Sequence, residues 1–156
     1  MKDVRKAISC GLFLAVLLST MLPVSFAHAD GAGAIAYRKA VMSSVGGHLK
    51  AIVTILKGQG GAQSHLVGHA KSLATLAVIS QDAFPKGSGP EAGKTEASPR
   101  IWEKPVDFQK ATDTFIQETA RLAAIATSGD MKAFGKQLGV VGKMGCKACH
   151  SGFRSK

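Results

Sequence analysis

Residues 34–57 read AIAYRKAVMSSVGGHLKAIVTILK. Ile35, Met42, Leu49 and Leu56 recur every seven residues, and Val45 and Ile52 fill intermediate positions of the same stripe. Apolar residues at that period predict an amphipathic helix, which Gly58, Gly60 and Gly61 bring to an end. The remaining intermediate position holds Arg38. A charge where the pattern asks for an apolar side chain points to a functional task.

The same period recurs along the chain. Leu66–Ile79 predicts a second helix with Leu66, Ala70, Leu73, Ala74, Leu76 and Ala77 inward. Gln81–Lys104 breaks pattern with Pro85, Pro90, Pro99 and several glycines, and reads as a long structureless connection. Pro105–Thr127 predicts a third helix, with Pro105 in its first turn and Phe108, Phe115 and Leu122 spaced by seven. Gly129 suits the stop of that helix and Asp130 the N-cap of the next. Met131–Gly152 is then a fourth helix with Phe134, Leu138 and Val141 inward. No β-hairpin signal competes. The fold class expected is all-α, an antiparallel four-helix bundle.

Outside the bundle, Lys2, Arg5 and Lys6 precede an apolar run and an Ala27-His28-Ala29 site. This predicts a signal peptide over residues 1–29, cleaved after Ala29, and a domain over 30–156. The run is short for a membrane span, so no stable membrane insertion is expected after cleavage. The chain has 20 Lys+Arg against 10 Asp+Glu, a net +10, of which +8 stays with the mature part. With 46% hydrophobic residues it is no disordered chain, and with 6% aromatics it is a poor stacking platform for nucleic acid. Cleavage removes Cys10 and leaves Cys146 and Cys149, too few for a disulfide framework.

Those two cysteines lie in Cys146-Lys147-Ala148-Cys149-His150, the C-x-x-C-H signature of c-type haem attachment. Successive helical residues advance about 100°, so both thiols and the imidazole share one face. A redox dithiol would follow a strand in a βαβ pattern, which is missing. A zinc site needs about four ligands, and no second cysteine pair exists. His65 and His69 are spaced for a shared surface metal but read as ordinary helix-face histidines. His48 lies about 240° around the first helix from Met42.

With these motifs the chain resembles the class II c-type cytochromes, the cytochrome c-prime family. The resemblance rests on the C-terminal placement of Cys146–His150 and on Gly142, Lys143, Phe153 and Arg154 around it. Tyr37-Arg38 and Thr95-Glu96-Ala97-Ser98-Pro99-Arg100-Ile101-Trp102 add to it. It implies one covalent, iron-containing haem c, attached through Cys146 and Cys149, with His150 as the proximal iron ligand. It further implies that Arg38 meets a haem propionate, that Thr95 and Glu96 lie near the haem edge, and that Arg154 sits on the proximal side. Lys39 stands where the family often has Gln. Met42 matches the distal position, where low-spin relatives supply sulfur to iron and high-spin relatives only block the site.

Two functions follow as expectations. The first is a periplasmic carrier of single electrons with His150 and Met42 as axial ligands, steered by its basic surface to acidic redox partners. The alternative is a five-coordinate haem protein that binds nitric oxide or carbon monoxide. Neither is an enzyme, because no acid–base or nucleophile set converges. The resemblance also allows a homodimer.

Overall fold

The computed structural model describes residues 30–155. The expected signal peptide, residues 1–29, lies outside the described residues. Helix α1 spans Gly31–Leu56, α2 His65–Gln81, α3 Arg100–Glu103, α4 Pro105–Ser128, α5 Met131–Val140 and α6 Ala148–Phe153. Between α5 and α6 the backbone runs on as a π-helical segment, Val141–Lys147. The long helices are α1, α2, α4 and the composite α5–π–α6, and their order and bounds follow the hydrophobic periods closely.

Local chemistry sets the ends. The Asp30 carboxylate accepts the Gly33 N–H at 2.6 Å, and the Asp130 carboxylate accepts the Ala133 N–H at 2.9 Å. Each satisfies an orphan donor of a first turn. Gly129 closes α4 with φ +77°, a left-handed conformation that a Cβ would oppose. The expected stop and start at 129–130 are therefore both present.

The core lies between α1, α2, α4 and α5. Ile52, Leu73, Leu122 and Phe134 are fully enclosed, with Leu66, Ala70, Ala77, Phe115 and Val141 around them. Burying each of the large side chains contributes about 1.5–3 kcal/mol before chain entropy is charged against it. Thr119 is also buried, and its hydroxyl donates back to the Phe115 carbonyl at 2.8 Å. Leu56 departs from the expected stripe and is 39% exposed. A strict seven-residue repeat drifts about 20° per heptad on a straight helix. Three heptads separate Leu56 from Ile35, so the last apolar residue has turned off the buried face.

The neighbour relations are uneven. Helix α2 packs on α1 and α4, and α4 packs on α2, α5, the π segment and α6. Helix α1 and the C-terminal helix share no comparable contact. The bundle is thus closed along three of its sides and open along the fourth.

Two expectations need correction. The Gln81–Lys104 connection is not structureless: Pro90–Ala92 forms a 3-10 turn and Arg100–Glu103 a helical turn. One of its own side chains ties its two ends together. The Trp102 indole N–H lies 3.1 Å from the Phe84 carbonyl and 3.2 Å from that of Pro85. The fourth helix is also not uniform, because it widens at Val141–Lys147. Gly139, Gly142 and Gly145 lower the local preference for α geometry there. Gly145 is buried against α4, and a Cβ on it would meet the Phe115 ring at 2.9 Å and the Phe115 Cα at 3.4 Å.

Candidate haem-attachment site

The C-terminal helix presents the donors. Cys146 ends up in the π segment, Cys149 and His150 in α6, one turn further on. Insertions of this wider turn often mark functional positions. Both cysteines are free thiols and partly buried, and Cys146 packs against the core. Burial pushes the Cys146 thiol up. Cys149 is pushed up to about 11, by burial first and by Cys146 second. A redox dithiol depends on a lowered thiol pKa, so this environment argues against that chemistry.

His150 is held below its ordinary pKa, first by desolvation and then by the positive charge of Arg154, with Glu96 opposing. That shift favours the neutral imidazole, which is the form that ligates a metal. It lines a cleft of about 250 Å³ together with Glu96, Arg154 and Ser155. The Glu96 carboxylate accepts from Arg154 Nε at 2.7 Å and pairs with Arg154 Nη2 as well. The backbone reinforces this junction: Ser98 N–H donates to the Phe153 carbonyl at 2.9 Å, and Ser155 N–H to Glu96 at 2.8 Å. The expected edge residue Glu96 thus sits beside the expected ligand His150.

Arg38 is 4% exposed. One terminal nitrogen donates to the Ala83 carbonyl at 3.2 Å and the Ser88 hydroxyl at 3.0 Å. The other donates to the Ser88 carbonyl and the Thr95 hydroxyl, each at 2.9 Å. The guanidinium carbon also lies 4.9 Å from the Phe84 ring centroid, within cation–π range. Burial lowers the Arg38 pKa without partners of opposite charge. The charge on the core stripe therefore organises the 81–104 connection, and only Nε–H is left for a further acceptor. Lys39 does the same from outside, donating to the Lys94 carbonyl at 2.8 Å. Sequence reasoning paired Arg38 with no protein group, and it missed Phe84 and Ser88, which carry no motif.

Met42 follows Arg38 by one helical turn. It is partly buried but is not among the side chains packed on the core cluster. That separates it from the core filler that a stripe methionine ordinarily is.

The donor set fits haem c: two partly buried free thiols and an imidazole within five residues of one helical segment. When bound, haem c supplies an iron that takes up electrons or a small ligand. Cys146 and Cys149 would hold it by two thioethers and His150 by its imidazole. Among the described residues no group of three or more His, Cys, Asp or Glu side chains is arranged to hold a metal ion by itself, so the iron would come with the porphyrin.

Comparisons agree. A family model described as Cytochrome C' matches residues 33–154. Cytochrome c' from Pararhodospirillum photometricum is 35% identical over 120 residues, 77% of this chain and 94% of that protein. Cytochrome c-556 from Agrobacterium tumefaciens is 33% identical over 131 residues, 80% and 99% of the two chains. A nitric oxide complex of a variant cytochrome c prime from Alcaligenes xylosoxidans superposes with a TM-score of 0.73 at 27% identity, covering 82% and 98%. The chain is therefore a haem c protein with a class II bundle, and it belongs to the cytochrome c' family.

Proposed function

We propose that this protein binds a small diatomic ligand, nitric oxide or carbon monoxide, at an iron held by His150 alone, with Met42 covering the opposite side. The observation that carries this reading is the likeness, over most of both chains, to a cytochrome c prime whose nitric oxide complex is known. Cys146 and Cys149 anchor the porphyrin. Arg38 and Thr95 fix the connection beside it, and Arg38 Nε–H is the donor that meets a propionate. Glu96 serves in pairing Arg154 over the His150 cleft. Met42, outside the packed core, shields the iron from water while its flexible thioether yields to a diatomic ligand. The leader expected at residues 1–29 places the protein in the periplasm.

One observation favours a second reading, electron carriage with Met42 sulfur on the iron. Residue 42 is a thioether on the same α1 face as Arg38, and the basic surface suits acidic redox partners. The ferric and ferrous optical spectra, with and without carbon monoxide, separate the two. Broad high-spin bands that shift with carbon monoxide are expected. Sharp low-spin bands, a weak far-red sulfur-to-iron band and no response to carbon monoxide would sink the gas-binding reading.

A further inference from the structure

At the far side of α1 from Met42, His48 faces α2. Its Nδ1 lies 2.9 Å from Nδ1 of His69, with ring centroids 5.2 Å apart and planes tilted by 59°. Both rings are partly buried. Beside them opens a cleft of about 450 Å³ that His69 and His65 line, along with Gly47, Ala51 and Gly61. Its one charged lining residue is Lys50, which is exposed and free to turn its ammonium into solvent.

We propose that His48 and His69 form a site for a divalent transition-metal ion with tetragonal geometry, Cu²⁺ above all. Imidazole nitrogens bind such ions at about 2.0–2.1 Å, and two of them at right angles are then about 2.9 Å apart. The two helices already hold the nitrogens at that spacing. At present one Nδ1 carries a proton shared with the other. Binding moves that proton to Nε2 of its own ring, so that both Nδ1 lone pairs meet the ion. The cleft supplies room for the water ligands that complete the coordination, and His65 is the nearest further imidazole on its wall. Copper is favoured because N,O-tetragonal sites select it and because it heads the divalent affinity order. This site uses none of the haem-binding residues.

The test is a Cu²⁺ titration of the ferric holoprotein at pH 7.5, followed by calorimetry and electron paramagnetic resonance. One equivalent should bind, with splitting from two nitrogens and no change in the haem optical spectrum. His48→Ala and His69→Ala should each weaken binding at least about tenfold. His69→Gln, which keeps a side chain of similar reach, should lose the nitrogen splitting while circular dichroism stays native. Absence of binding up to about 100 µM free Cu²⁺, or wild-type affinity in both alanine variants, overturns the site. Perturbed haem bands during the titration would also overturn it, because they place copper at His150 or Met42.

Discussion

Two regions of one bundle are built on different physics. Around Ile52, Leu73, Leu122 and Phe134 the interior is apolar and shut, and burial alone accounts for it. Around Arg38 the interior is polar: four guanidinium hydrogens, two main-chain carbonyls and two hydroxyls satisfy one another. The first region makes the bundle. The second shapes the connection that flanks the haem-bearing helix, and it does so with a charge that no carboxylate of the described residues neutralises. A buried cation is tolerated there because every terminal hydrogen has an acceptor.

The contrast can be broken at four points. Cys146→Ala with Cys149→Ala should have the largest effect, since no covalent haem remains. A haem-stained denaturing gel should be blank for the double variant. Phe134→Ala, in the apolar region, should cost about 3–5 kcal/mol. Denaturant midpoints would report it, while the shape of the haem spectrum stays the same. Arg38→Leu should cost about 2–4 kcal/mol, because it strands the Ala83 and Ser88 carbonyls. Unlike Phe134→Ala, it should speed hydrogen exchange selectively over residues 82–98. Arg38→Lys should recover only part of the loss, since a point charge cannot serve four acceptors in a plane. Glu96→Gln should stay within about 1 kcal/mol, the Glu96 and Arg154 side chains being 66% and 52% exposed. Slow exchange at the Ser98 and Ser155 amides should survive it, because the backbone bonds do not depend on that pair.

The apolar region was legible in the sequence almost residue by residue, since a period of seven encodes a buried stripe directly. The error at Leu56 has the same origin, a repeat that slips against the helix it describes. The haem attachment was legible because three chemically special residues sit within five positions. The polar region was legible only as a violation. Arg38 stood out, but half of its acceptors are main-chain carbonyls, and all four lie 45 to 57 residues away. Carbonyls have no sequence signature, and the resemblance that named Arg38, Thr95 and Glu96 did not foretell that Arg38 and Thr95 bind each other. The His48–His69 pair was missed for the same reason: its members are 21 residues apart and on different helices.

Gly145 gives the haem-bearing helix a depth gauge. Its α-hydrogen is all that separates that helix from Phe115 on α4. A methyl group there would stand in ordinary contact with the Phe115 Cα at 3.4 Å, but the Phe115 ring at 2.9 Å would have to move. A side chain at 145 would push that ring deeper into α4's neighbours or lift the helix like a shim under a hinge, and Cys146 with it. The approach of the Cys146-bearing helix to α4 is therefore set by the smallest residue on it, one place before that cysteine.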